Sequence, residues 1–260
     1  MDYNFVIDVR GDTRCEYLAG SLTEYGYDVY RYDAFDAGAK ENIIYIFPPS
    51  AKLSADEARK ITDGSKVFGF VQSGEIEDIF AAKGVDFVNV FTGEEFACKN
   101  ALITADGTLM LVAENTEIIF ADMKILVVGF GRVGKSLAKI FKAVSGRVDV
   151  LTFDRKECAS AILFSDSQYC SFERVKFDTY DVVINTVPAQ LINRHVVARF
   201  KKDVFLLELA SEPGGFDKEA VKKNGIKYLY VPGLPAKVAP ISAAKILLEE
   251  ISSYLDIFSK

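Results

Sequence analysis

The sequence predicts an α/β chain: a doubly wound parallel sheet with a second, smaller N-terminal α/β domain. Three observations predict it. Short runs rich in β-branched and aromatic residues alternate with polar, helix-compatible stretches from end to end, which is the rhythm of a parallel sheet with crossover helices. A second such series restarts at Lys124 and holds six candidate strands. A GxGxxG spacing, GFGRVG from Gly129, follows the first strand of that second series.

In the first series, FVIDV (5–9), YDVYRY (27–32), NIIYIF (42–47), KVFGFV (66–71) and VDFVNV (85–90) are the strand candidates, and residues 1–100 read as one small substrate-side domain. TADGTLMLVAENTEIIF then places Leu109, Val112, Ala113, Thr116 and Ile119 at helical spacing. Thr104 is the expected N-cap and Asp106 lies in the expected first turn, so residues 101–121 read as a linker helix passing over an interdomain cleft. KILVVG, RVDVLT, AILF, DVVINT, DVFLLEL and IKYLYV are the six strands of a dinucleotide-binding domain over 122–236. Residues 237–260, with Ala244, Ile246, Leu247, Ile251 and Leu255 in register, read as a helix packing back on the linker or the N-terminal domain.

Composition narrows the function classes. Half of the 260 residues are hydrophobic, enough for a full core, and Lys+Arg 31 against Asp+Glu 37 gives a net charge of −6. That balance argues against nucleic acid as the main partner. No signal sequence and no apolar run of membrane-spanning length stand out, so a cytoplasmic chain without a membrane partner is expected. Cys15, Cys98, Cys158 and Cys170 are widely spaced with no CxxC pair or nearby histidine, and the expectation is four buried, reduced cysteines and no metal site.

The glycine loop has the context a dinucleotide site requires. Ile125–Val128 is an apolar run suited to a buried central strand. Gly129 permits the tight turn, Gly131 a close backbone approach to a pyrophosphate, and Gly134 helix–strand packing; Phe130, Arg132 and Val133 complete the loop. The helix that follows turns its N–H groups and positive dipole end towards phosphate. At the end of the second strand, a carboxylate would bind the ribose 2′-hydroxyl of NAD, and an arginine the 2′-phosphate of NADP. Thr152, Asp154 and Arg155 stand there. The mixture leaves the choice open and tips towards NADP, because Thr152 is neutral and Arg132 and Arg155 are close.

Ligands of parallel sheets bind outside the carboxyl ends of the strands. The later strand-end loops are NTVPAQ (Asn185, Thr186, Pro188), ASEPGG (Ala210, Ser211, Gly214, Gly215) and VPGLPAKVAP (Lys237). In the first domain RGDTR, PPSAK and QSGE hold Arg14, Ser50 and Ser73. With Thr104, Gly214, Gly215 and Lys237 these are the candidate substrate contacts, Arg14 and Lys237 suiting carboxylates. The one histidine, His195, falls on a predicted helix away from these loops. No tyrosine is followed four residues later by lysine, so neither the histidine-dependent hydroxyacid dehydrogenases nor the short-chain pair is matched, and no catalytic acid or base is assigned.

VVGFGRVGKSLAKIF, INTVPAQLI, LELASEPGG and GIKYLYVPGLPAKVAPISAAKIL together resemble the family of the A subunit of dipicolinate synthase, as do RGDTR and NALITADGTLMLVAENTEIIF upstream. The likeness spans most of the chain. It departs from the family pattern at Ile103, where proline is usual, at Ile241, where lysine is common, and at Phe153, where arginine is usual. The resemblance implies a formate/glycerate-dehydrogenase-like Rossmann architecture and NADP or NAD. It also implies oxidation of a dihydrodipicolinate-type dicarboxylate to dipicolinate during sporulation, with a second, flavoprotein-like subunit in the enzyme. A homo-oligomer is expected. Another dehydrogenase of small carboxylates and a non-catalytic dinucleotide-sensing protein remain alternatives.

Overall fold

The structure, a computed structural model, describes residues 3–70 and 73–255. Val71 of the fourth strand candidate, Gln72 of QSGE and the end of the C-terminal segment lie outside them. The chain divides into two compact units, Met1–Asn100 with Pro235–Lys260, and Ala101–Leu234.

The first unit contains β1 (Asn4–Ile7), α1 (Thr13–Glu24), β2 (Asp28–Arg31), β3 (Ile43–Ile46), α2 (Ala55–Lys60), β4 (Lys66–Phe68), α3 (Gly74–Ala82) and β5 (Asp86–Val88). The five strands pair in parallel in the order β2-β1-β3-β4-β5. Alternation along β1 sends Phe5 and Ile7 to one face and Val6 to the other, and both faces are covered. On the first face Phe5, Ile7, Ile44, Ile46 and Phe68 pack with Leu18 and Leu22 of α1. On the second, Val6, Ile43, Tyr45 and Val67 pack with Ala58 of α2 and Ile76 and Phe80 of α3. Two-sided burial is why the central strands β1 and β3 read as apolar runs, whereas the edge strands β2 and β5 carry exposed charges.

α4 (Glu94–Asn115) runs from the first unit into the second. It begins ten residues before the expected N-cap, Thr104, with Glu94 and Glu95 favouring the positive end of its dipole. Thr104 is therefore no cap: it is buried inside the helix and its carbonyl accepts the Thr108 hydroxyl at 2.7 Å. Ile119 lies beyond the helix and is 68% exposed. α4 is also long and apolar enough to cross a membrane, which the sequence reading missed; nearly half of that stretch is buried, with Ala105 and Val112 in the second unit's core.

The second unit contains β6 (Lys124–Val128), α5 (Arg132–Val144), β7 (Arg147–Leu151), α6 (Arg155–Ser160), β8 (Ser167–Tyr169), β9 (Val182–Asn185), α7 (Arg194–Val197), β10 (Phe205–Glu208), α8 (Lys218–Lys223) and β11 (Lys227–Tyr230). All six strands are parallel, in the order β11-β10-β9-β6-β7-β8. That is the Rossmann order, with its reversal between β6 and β9. The strand count matches the sequence reading, but the third strand does not. AILF forms a 3-10 turn over Ala161–Leu163, with Ile162 and Leu163 exposed, and the edge strand is the polar SQY run paired to β7. An edge strand half in water needs no apolar run, so periodicity pointed to the wrong segment.

α9 (Leu234–Val238) and α10 (Pro240–Ser252) close the chain. Ala244, Leu247, Leu248 and Ile251 of α10 pack on α1 and β1 of the first unit. The cysteines differ from expectation. Cys158 and Cys170 form a disulfide with their Cα atoms 6.1 Å apart, while Cys15, buried, and Cys98, exposed, keep their thiols.

Candidate dinucleotide cleft

β6 is buried along its last four residues and ends at Val128. Gly129 turns the chain out of the sheet with φ at 93°, a conformation that favours glycine, while its N–H bonds the Leu151 carbonyl at 2.8 Å. A Cβ at Gly129 would overlap the Thr186 hydroxyl and lie 2.6 Å from Val187 Cγ2; one at Gly134 would overlap the Gly129 carbonyl. The fold itself demands those two glycines. Gly131 is different. Its φ of −69° suits any residue, and a Cβ there would meet no protein atom within 4 Å. Nothing in the protein requires glycine at 131, and the space beside it is open to a ligand.

α5 starts at Arg132 with Gly131 as its cap, so no side chain accepts from its first turn. The helices α6, α7 and α8 are capped by Asp154, Asn193 and Asp217. The first N–H groups of α5 thus face the loop, at the positive end of a 13-residue helix.

Around this loop lies a cleft of about 440 Å³, lined by Val128–Gly134, Leu151, Thr152, Phe153, Glu157, Thr186, Val187, Pro188 and Leu191. Thr186 donates its hydroxyl to the Val128 carbonyl at 2.9 Å, pinning the β9 loop against β6. The cleft therefore gathers the whole glycine loop, Thr152, Thr186 and Pro188 from the sequence reading.

It does not gather Asp154 or Arg155. Asp154 is exposed and accepts the N–H groups of Lys156 at 2.7 Å and Glu157 at 2.9 Å; these bonds hold its carboxyl below the usual aspartate value. Arg155 is an exposed first residue of α6 outside the lining. The carboxylate that does line the cleft is Glu157, held by the buried Thr152 hydroxyl at 2.9 Å. The sequence reading missed it, although Asp154 and Glu157 have the spacing of N-cap and N3 residues that opens a helix.

Asn185, Ala210, Gly214 and Gly215 are brought together by another residue the sequence reading passed over, Glu208. It is fully buried at the end of β10 and accepts Asn185 Nδ2 at 2.7 Å, Ala210 N at 3.1 Å and Gly215 N at 2.7 Å. Burial pushes its carboxyl above the usual glutamate value, against the pull of those donors. Asn185 in turn holds Val187 by both its N–H and its carbonyl, so the ASEPGG loop is tied to the cleft wall. A Cβ at Gly215 would overlap the Asn185 amide, and one at Gly214 would sit 3.0 Å from Glu208 Oε2. The signal was a charge ending an apolar strand, LLE. Ser211 is exposed in the same loop, outside the cleft lining.

The remaining substrate candidates belong to the first unit. Arg14 is buried and its guanidinium is bound by Asp12, with contacts of 2.8 to 3.1 Å. A substrate carboxylate reaching Arg14 would have to displace Asp12. Ser50 is exposed in a turn, Ser73 is an exposed N-cap of α3, and Lys237 is exposed on α9. His195 is exposed on α7. Among the described residues no cluster of His, Cys, Asp or Glu could hold a metal ion.

Comparison with known proteins agrees with this geometry. Residues 112–220 match the family described as D-isomer specific 2-hydroxyacid dehydrogenase, NAD binding domain. The A subunit of dipicolinate synthase of Bacillus subtilis (strain 168) is 30% identical over 193 residues, 73% of this chain and 64% of that protein. Two crystal structures are similar over nearly the full length. The A subunit of dipicolinate synthase from Bacillus halodurans is 24% identical with a TM-score of 0.84, covering 100% of both chains. The dipicolinate synthase A chain from Bacillus subtilis is 26% identical with a TM-score of 0.78, covering 99% of this chain and 97% of that one. With a Rossmann unit of this strand order and a strand-end glycine cleft, the chain is a homologue of the A subunit of dipicolinate synthase.

Proposed function

We propose that this chain is an oxidoreductase that uses a nicotinamide dinucleotide to convert a dihydrodipicolinate-type dicarboxylate to dipicolinate, the product named in its relatives. The observation that carries the dinucleotide half is Gly131: a glycine the fold does not need, at the cap of an uncapped helix, facing an open cleft. The N–H groups of the first turn of α5 would hold the pyrophosphate, with Arg132 adding charge. Thr186 and Val187, fixed by Val128 and Asn185, would shape the wall against which the nicotinamide end is oriented.

Bound oxidised nicotinamide supplies a hydride acceptor. Aromatising a dihydropyridine releases a hydride from one saturated ring carbon and a proton from its neighbour, leaving dipicolinate, reduced cofactor and H⁺. The product's aromaticity makes this strongly downhill, so the chain's contribution is orientation more than a strong base. That accords with His195 sitting exposed on α7, outside the cleft. A role in sporulation, with a flavoprotein-like second subunit, belongs to the same proposal.

The test is to incubate the chain, with and without such a partner, with dihydrodipicolinate and NAD or NADP, and to follow dipicolinate by its absorbance. Product well above the non-enzymatic rate supports the reading. A folded, cofactor-binding protein that adds nothing to the background overturns it. The match to a hydroxyacid dehydrogenase domain favours one second reading, oxidation of another small carboxylate. Turnover of a 2-hydroxy acid but not of the dihydropyridine would establish that reading instead.

A further inference from the structure

Resting on the dinucleotide reading of the cleft, we infer that Glu157 sets the choice of cofactor and makes this chain select NAD over NADP. Leu151 and Thr152 are buried at the end of β7, and the chain leaves the sheet through Phe153 into the Asp154 cap of α6. In a sheet of this order the adenosine ribose lies beside the strand next to the glycine-loop strand, which here is β7. The side chains lining that end of the cleft are Leu151, Thr152, Phe153 and Glu157, and no cation is among them. The one cation among the described lining residues is Arg132, in the first turn of α5 on the pyrophosphate side.

Glu157 is fixed in this place from two directions. Its backbone N–H is held by Asp154 at 2.9 Å, which starts the helix, and its Oε2 by the Thr152 hydroxyl at 2.9 Å. Thr152, the neutral residue at the strand end, thus positions an acid supplied by the next helical turn. A carboxylate there accepts hydrogen bonds from the ribose hydroxyls of NAD. It repels a 2′-phosphate, which carries like charge into a stretch of lining with no cation among the described residues. Phe153 sets a ring, edge-on to Phe172 at 5.0 Å, where a phosphate would need a donor.

The test measures dissociation constants of NAD⁺ and NADP⁺ for the full chain by calorimetry. Wild type is expected to bind NAD⁺ roughly tenfold or more tightly than NADP⁺, because close like charge is strongly discriminating. Glu157→Gln should cut that ratio severalfold, mainly by improving NADP⁺. Thr152→Val, which keeps the charge and loosens its hold, should weaken NAD⁺ while leaving NADP⁺ disfavoured. If wild type binds NADP⁺ as tightly as NAD⁺, or if Glu157→Gln leaves the ratio unchanged in a protein that melts like wild type, this inference falls and the cleft reading stands. If folded wild type binds neither dinucleotide, both fall. Should Glu157→Gln fail to fold, the wild-type ratio and Thr152→Val still decide the question.

Discussion

Replacing Gly131 by alanine separates the ligand's demands from the fold's. The backbone at 131 has φ −69°, and the added methyl would have no protein atom within 4 Å. Reducing the freedom of the unfolded chain stabilises by about 0.4–1 kcal/mol. Alanine is a poorer N-cap than glycine, by roughly 0.5–1 kcal/mol. The two nearly cancel, so the melting temperature should stay within about 2 °C of wild type. The methyl projects from the cap of α5 into the cleft, where it would push a pyrophosphate off the helix end. Losing one N–H bond to a charged group costs about 1.5–3 kcal/mol, which weakens binding roughly 10- to 150-fold. Gly134→Ala is the control with opposite character. Its methyl would overlap the Gly129 carbonyl, and overpacking of that kind costs about 1–3 kcal/mol of stability. Thermal melts and calorimetric titration with the preferred dinucleotide on both variants read the two effects apart. Affinity of Gly131→Ala within about twofold of wild type, in a protein that melts normally, would refute the reasoning, since a twofold change is far below one charged hydrogen bond.

Three further outcomes follow from the same geometry. Arg14→Met should strip the buried Asp12 of its counter-ion and cost about 3–5 kcal/mol, read by denaturant unfolding, because an unpaired buried charge is expensive; a variant of wild-type stability would contradict the buried pair. Glu208 has its folded value raised by burial, so its share of stability is full below the unfolded value near 4.5 and is lost as pH rises through the folded value. Glu208→Gln should flatten that fall in melting temperature while lowering stability at every pH by about 1–3 kcal/mol, since an amide N–H₂ then faces N–H donors; an unchanged slope would remove Glu208 as its source. Without reductant, thiol reagents should label Cys98 in the folded protein and Cys15 only after unfolding, burial having pushed the Cys15 thiol up to about 12, while Cys158 and Cys170 react only after reduction.

Much of the fold was legible because its strands are buried on both sides and its helices are not. Ile125–Val128 and Val182–Ile184 are unbroken apolar runs whose alternate residues fill two different core faces. The glycine loop was legible for a stronger reason: spacing, strand and helix coincide at one point. What periodicity missed lay at edges and ends. The polar edge strand Ser167–Tyr169 carries no apolar signal, whereas exposed Ile162 and Leu163 carry a false one. α4 starts well before the helical spacing read from Leu109 onward: its first turn carries Glu94 and Glu95, favoured by the helix dipole, and buries Phe96. In the cleft, Asp154 was read as a candidate for the ribose and Glu157 was passed over. Both are acids near one strand end, and only three dimensions show that the first closes a helix turn on its own backbone while the second reaches back to Thr152. Glu208 was passed over because strand-end loops were read for exposed chemistry, and this carboxylate organises its loop from beneath. Arg14 was legible as a charge but not as a paired one: it is the second residue of α1, and its guanidinium folds back onto Asp12, the helix N-cap.

The account stands most directly on the path of one hydride. Dihydrodipicolinate carrying deuterium on its saturated ring carbons should be incubated with this protein, its partner subunit if one is required, and oxidised cofactor, and the reduced cofactor analysed by mass spectrometry. Deuterium should appear in the reduced nicotinamide, formed in step with dipicolinate, and both should fall together in Gly131→Ala at cofactor concentrations that saturate only the wild type. Dipicolinate accumulating with the cofactor still oxidised, or a reduced cofactor free of label, would contradict it.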